Sequence, residues 1–223
     1  MKPLEQLQSR LGYRFKEPSL LVAAMTHASM GPGSNYERLE FLGDRVLGLV
    51  MASWLYETFP GEVEGDLAKR HAALVQGALL AEIAREWSLG DALILSDAER
   101  GAGGADNENM LADGFEALLG ALYLDAGLAF CHDFIRRSWG ERIRLMVTPP
   151  QDPKTALQEW AQGRGYPLPL YELVNREGPD HAPNFLIRVA VQGYPPAEAE
   201  GSSRRSAEKA AARQLLSRLE QLP

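Results

Sequence analysis

Glu37, Glu40 and Asp44 fall at i, i+3 and i+7 in Asn35–Leu47, which reads Asn-Tyr-Glu-Arg-Leu-Glu-Phe-Leu-Gly-Asp-Arg-Val-Leu. On an α-helix that spacing stacks them in a stripe about 60° wide. Leu39, Leu42, Val46, Leu49 and Val50 collect on the opposite side, the side expected to be buried. Stacked like charges repel unless a cation sits among them. A second pair, Asp113 and Glu116, lies at i, i+3 in a segment that Met110, Leu111, Phe115, Leu118 and Leu122 make apolar nearly all round. That helix is expected to be central, where a carboxylate is costly unless paired or bound to metal. Gly48 and Gly120 each lie one turn beyond the last acid of their helix. The expectation is that the helices cross closely at these glycines and bring four carboxylates together.

An all-oxygen cluster of this kind suits a hard divalent cation, Mg²⁺ or Mn²⁺. Such ions polarise phosphodiesters and generate hydroxide from water, and in pairs about 4 Å apart they clamp attacking and leaving oxygens. A di-iron bundle would need Glu-x-x-His on two helices, and none of the four histidines has a glutamate at that spacing. A magnesium site without catalysis satisfies the same spacing.

The elements that position these acids are helical as far as Val147. Helices are predicted over Pro3–Leu11, Pro18–Met25, about Tyr36–Phe59, Glu64 to Trp87 with a break near Gly77, Asn109–Tyr123 and Leu128–Leu145. A polar, glycine-rich loop is expected from Asp97 to Asn107. Three prolines in Thr148–Pro153 interrupt the helical pattern. The expected division is an all-α domain over 1–148, a proline-rich linker over 149–153 and a second domain over 154–223. The second begins with a helix from Pro153 to Gly163. Strands follow at Leu170–Arg176, Phe185–Val191 and Tyr194–Ala199, with a tight hairpin at Gly193-Tyr194, and a final helix runs from Ser203 to about Leu219. This α-β-β-β-α order describes a small α+β module with both helices on one face of the sheet.

The 223 residues carry a net charge of −7, which at first argues against a nucleic-acid partner. Residues 1–148 hold 14 Lys/Arg against 21 Asp/Glu, whereas residues 149–223 hold 9 of each. All the excess acid is therefore in the first part, and the neutral second part has room for a basic patch. One cysteine, Cys131, rules out an internal disulfide framework. With no apolar run of membrane-spanning length and no signal-peptide pattern, the expected compartment is the cytoplasm.

Asn35–Asp44 resembles the signature of the ribonuclease III family, endonucleases of double-stranded RNA. Leu111-Ala112-Asp113-Gly114-Phe115-Glu116-Ala117 is similar to the family's second acidic motif, and Thr26-His27 with Ser29 to its Thr-His-x-Ser turn. Asp152-Pro153-Lys154-Thr155 with Leu157-Gln158-Glu159 resembles the first helix of a double-stranded-RNA-binding domain. Gly178–His181 resembles that domain's minor-groove loop, and Gly201–Glu208 its Gly-x-Ser-Lys-Lys-x-Ala-Glu motif with arginines for lysines. The loop 96–107 lacks the arginine that the family often places after Gly-Gly, and Pro183 replaces a frequent lysine.

The resemblance implies that Glu40, Asp44, Asp113 and Glu116 ligate Mg²⁺, or Mn²⁺ in its place, with Asp44 and Glu116 closest to catalysis and Glu37 behind them. It implies a homodimer with Phe41 at the subunit contact and one RNA strand cut per site. The expected products are 5′-phosphate and 3′-hydroxyl ends with short 3′ overhangs, in processing of ribosomal and other RNA precursors. Phe41 also fits on physical grounds, since it projects beside the acidic stripe and away from the core side.

Arg204 and Arg205 fall in the first turn of the last helix, where backbone N–H groups and the helix dipole already favour phosphate, and Lys209 adds charge nearby. With Gln158, Glu159 and His181 as 2′-hydroxyl partners in the minor groove, this reads duplex shape over roughly 16 base pairs. His27 is read as a hydrogen-bonded turn residue, and His71 and His132 as helix-surface residues. Two other functions compete: an RNA-binding protein with a silent nuclease fold, and a phosphohydrolase for small substrates. The short linker to an RNA-binding module argues against the latter.

Overall fold

The structure, a computed structural model, describes residues 3–31, 33, 35–179 and 183–221, in two compact units, Met1–Pro150 and Gln151–Pro223. In the first unit the helices are α1 (Pro3–Leu11), α2 (Pro18–Met25), α3 (Glu37–Thr58), α4 (Glu64–Leu74) and α5 (Gly77–Glu86). They continue with α6 (Asp97–Gly101), α7 (Glu108–Ala126), α8 (Leu128–Trp139) and α9 (Arg142–Leu145).

α7 is the central helix. Its start is fixed by the Asn107 side chain, which accepts from the N–H groups of Asn109 and Met110 at 3.0 and 3.2 Å. It ends at Gly127, whose φ of +84° is a conformation that favours glycine. Leu111, Phe115, Leu118, Leu119 and Leu122 are buried, so the nearly all-round apolar pattern does mark a core helix. α3 lies along it in the most extensive helix pairing of the unit. The Asn35 side chain accepts from Glu37 N–H at 3.2 Å and so caps the start of α3.

The close approach of the two helices is not where the spacing of Gly48 and Gly120 suggested. It lies at Gly43 and Gly120. A methyl group at Gly43 would overlap the Glu116 carbonyl oxygen and meet the Gly120 nitrogen at 2.9 Å. Gly48 instead faces the ring of His71, whose Nε2 lies 3.1 Å from the Gly48 carbonyl oxygen. Leu49 was expected in the core, yet it is exposed and Leu42 is only half-buried, so the buried face of α3 is narrower than its apolar pattern.

Three further boundaries differ from expectation. The polar stretch after Ser96 is not a plain loop: it forms α6, capped by the Ser96 hydroxyl, and a 3-10 turn at Gly104–Asp106. The segment 128–145 breaks at Gly140, φ +53°, into α8 and α9. The third strand begins at Ala197 rather than Tyr194. No helix among the described residues is long and apolar enough to cross a membrane.

The second unit consists of α10 (Pro153–Gly163), β1 (Leu170–Glu177), β2 (Asn184–Ala190), β3 (Ala197–Gly201) and α11 (Arg204–Leu219). The strands form an antiparallel sheet in the order β1-β2-β3, with a register shift between Leu173 and Asn175. Ile187 and Val189 alternate inward from β2 and meet Leu157 and Ala161 of α10 and Ala207, Ala211 and Leu215 of α11 in one core. The alanines let α11 lie close on the sheet. Ser203 starts α11 with a reciprocal cap: its hydroxyl accepts from Ser206 N–H at 3.1 Å, and its own N–H donates to Ser206 Oγ at 3.0 Å.

Candidate functional site

The packing of Gly43 on the Glu116 backbone brings the acids of α3 beside those of α7. Glu40, Asp44, Asp113 and Glu116 are all half-buried, whereas Glu37 is exposed and accepts from the Asn35 side chain at 3.3 Å. Burial, then the charges of Glu40 and Asp113, push Glu116 up to about 7, with Arg45 partly opposing. Glu40 is raised by burial and by Asp113 and Glu37. Asp113 is raised by burial, against a hydrogen bond from the Tyr36 hydroxyl and the proximity of His27. These acids are thus held in a place that penalises their ionised forms.

That donor set fits a hard cation: it is all oxygen, half-buried and mutually repelling. The side chains do not form a closed cage. Among the described residues no three such groups converge on one point, and Asp44 turns to an ion pair with its neighbour Arg45.

The surroundings include residues that the sequence reading passed over. Tyr36 is buried, its N–H donates to the Thr26 carbonyl at 3.0 Å, and its ring meets that of His27 edge-on at 5.4 Å. Its hydroxyl is near enough to Asp113 on the other helix to lower that acid. His27 is held in its turn as expected, Nδ1 accepting from Ser29 N–H at 3.0 Å. His27 N–H in turn donates to Ile94 at 3.0 Å, which ties this turn to the segment after α5. Position directly before the acidic helix was the available sign for Tyr36, but its partner is 77 residues away. Phe41 is 66% exposed, with the Arg45 guanidinium 5.3 Å from its ring centre.

In the second unit, Arg204 and Arg205 stand exposed in the first turn of α11, and Gln158 and Glu159 lie exposed on α10. Lys209 is half-buried and paired with Asp152 at 2.8 Å. Glu159 accepts from Gln151 at 2.5 Å. Arg204, Arg205, Lys209 and Gln158 line one open cleft of 720 Å³ together with Lys154 and Glu208. His181 lies outside the described residues.

A helical unit with an acidic helix pair, followed by an α-β-β-β-α unit with a basic cleft, defines a class: a nuclease domain joined to a duplex-RNA-binding domain. Residues 17–142 match the family model described as Ribonuclease-III-like, and residues 153–219 match the double-stranded RNA binding motif. The chain is 49% identical over 221 residues to Ribonuclease 3 of Dinoroseobacter shibae, covering 98% of this chain and 96% of that one. It is 46% identical over 215 residues to Ribonuclease 3 of Anaplasma marginale (strain Florida), covering 95% and 93%. The crystal structure of the nuclease domain of ribonuclease III from Campylobacter jejuni matches at 42% identity with a TM-score of 0.60, covering 68% of this chain and 99% of that one. A second structure of that domain concerns flexibility in a region involved in its dimer formation and matches at 43% identity with a TM-score of 0.59, covering 60% and 94%. This chain belongs to the ribonuclease III family. It is an endoribonuclease of double-stranded RNA, of a metal-dependent family.

Proposed function

We propose that the metal is Mg²⁺ and that Glu40, Asp44, Asp113 and Glu116 hold it, with Glu37 orienting the set from outside. The observation that carries this reading is that burial and acids of the facing helix raise both Glu116 (by Glu40) and Glu40 (by Asp113), across two helices locked together at Gly43 and Gly120. Mg²⁺ at this point supplies charge to polarise a phosphodiester and a hydroxide at neutral pH, roles Mn²⁺ can fill. Asp44 and Glu116 lie nearest the reacting phosphate; Asp44 exchanges Arg45 for that duty. Gln158, Glu159, His181, Arg204, Arg205 and Lys209 hold the duplex by its phosphates and 2′-hydroxyls, sequence-independently.

Two copies act together in this reading, one strand cut per site, leaving 5′-phosphate and 3′-hydroxyl ends with short 3′ overhangs. Exposed Phe41 supports the dimer. The setting is the cytoplasm, in maturation of ribosomal and messenger RNA. End-labelled duplex RNA incubated with the protein and Mg²⁺ is expected to be cut, and EDTA to stop it. Cutting that continues in EDTA overturns the metal reading. Phe41→Ala is expected to shift sedimentation towards monomer while changing stability by no more than about 0.5 kcal/mol.

A further inference from the structure

In the cleft of the second unit, Lys154 of α10 and Arg204 of α11 share one carboxylate. Lys154 Nζ lies 2.6 Å from Glu208 Oε2, and Arg204 Nε lies 3.0 Å from Glu208 Oε1. Residues 154 and 208 come from opposite ends of the unit, so this bridge ties its two helices together at the cleft. Exposure differs sharply across the trio: the Glu208 side chain is 13% exposed, against 37% for Lys154 and 63% for Arg204. The anion therefore lies beneath and the cations lie towards solvent.

The donor inventory is equally uneven. An ammonium has three N–H donors and a guanidinium five. Glu208 engages the ammonium and the guanidinium Nε, leaving the two terminal nitrogens of Arg204 and part of the ammonium without a partner among the described residues. Lys154 is further located by the ring of Tyr171, whose centre lies 4.7 Å from Nζ. A long, flexible cation held in this way loses less freedom when it meets a phosphate.

We propose that Glu208 is a positioning residue for duplex RNA, presenting Lys154 and Arg204 as one preorganised cationic unit, and that Lys154 contacts an RNA phosphate. This inference rests on the RNA-binding reading of the cleft and adds to it both a contact and the residue that holds it. The competing view of Glu208 is electrostatic. A carboxylate in a phosphate-binding cleft repels the ligand and occupies its cations, so removing its charge would tighten binding. The two views predict opposite signs for one substitution.

The test uses the full chain in EDTA and a fluorescein-labelled RNA duplex of about 20 base pairs, longer than the roughly 16 such a domain spans. Anisotropy is followed across a range of KCl concentrations. Glu208→Gln is expected to weaken binding by about five-fold although it removes a negative charge, and Lys154→Gln to weaken it comparably. In the double variant the two losses are expected to fall short of their product, because both act through one unit. Lys154→Gln is also expected to lower the slope of log affinity against log salt by about one, the mark of a lost phosphate contact. That slope does not depend on Glu208→Gln folding, and circular dichroism melting checks each variant. Glu208→Gln that is folded and binds as tightly as the parent chain, or tighter, overturns the positioning role; an unchanged slope in Lys154→Gln overturns the contact. Arg205→Gln separates the premises. If the parent chain binds and Arg205→Gln weakens it while the other two variants do not, the RNA-binding reading stands and this inference falls. If the parent chain fails to bind, or Arg205→Gln is silent, the reading itself is wrong.

Discussion

In the acidic site of the first unit, Glu40 and Glu116 stand near like charges and both are raised, Glu116 to about 7. In the cleft of the second unit, Lys154, Arg204 and Lys209 each have a carboxylate within 3.0 Å. There the acids are lowered: Glu208 by hydrogen bonds from Lys154 and Arg204, and Asp152, which burial alone would raise, by Lys209 and the Lys154 N–H. One region leaves its charges in conflict and the other resolves them internally. A site that binds a small, hard cation gains from conflict, because the ion relieves it on arrival. A surface that binds a long polyanion gains from fixed, oriented cations, because affinity comes from many phosphates met at once.

The most damaging way to disturb the comparison is to push the two acidic helices apart. Gly43→Ala places a methyl group against the Glu116 carbonyl oxygen, with backbone rather than a flexible side chain in its way. Denaturant unfolding of the first unit is expected to lose about 3 kcal/mol. Cleavage is expected to disappear even where the chain remains folded, while duplex binding by the second unit persists.

Loosening the conflict more gently separates geometry from charge. Tyr36→Phe removes the hydroxyl that lowers Asp113 but keeps the buried ring against His27. Divalent-cation affinity, read by titration calorimetry, is expected to fall about 10-fold, with stability changing by about 1 kcal/mol. Equal affinity in both proteins would mean that Asp113 needs no such support.

The smallest effect distinguishes the two regions by pH. Glu116 has a folded pKa above its ordinary value, so the folded chain binds its proton more tightly than the unfolded chain. Its contribution is complete below pH 4.5 and is lost as pH rises through about 7. Glu208 is lowered, so its contribution is present above its ordinary value and is lost as pH falls through the folded one. In EDTA, hydrogen-exchange protection, corrected for intrinsic rates, is expected to decline in α7 between pH 5 and 8. In α11 it is expected to decline only on acidification. Glu116→Gln is expected to flatten the first trend and leave the second alone.

Much of this arrangement was legible in the sequence because it is local. The acidic stripe, the second pair on an apolar helix and the α-β-β-β-α order all follow from periods and punctuation within short windows. The choice between Gly43 and Gly48 was not local. Period alone places both on α3 without saying which meets α7, and that is set by the rotation of one helix against the other. Leu49 was misplaced for the same reason, as an apolar residue on the edge of a face narrower than its pattern. Ser96 and Gly140 carry local signs of the breaks they make: a hydroxyl cap that starts α6, and a glycine in positive φ that ends α8. Tyr36–Asp113 and Lys154–Glu208 join residues 77 and 54 apart, so no pattern in a single sequence links them.

Glu116→Gln tests the central claim most directly, because it removes one charge from the conflicted site without changing its shape. Parent and variant are compared on the same labelled RNA duplex, cleavage being measured in Mg²⁺ and binding in EDTA. The account predicts binding within about two-fold of the parent chain and cleavage lower by about three orders of magnitude. A variant that binds and cuts like the parent chain would contradict it.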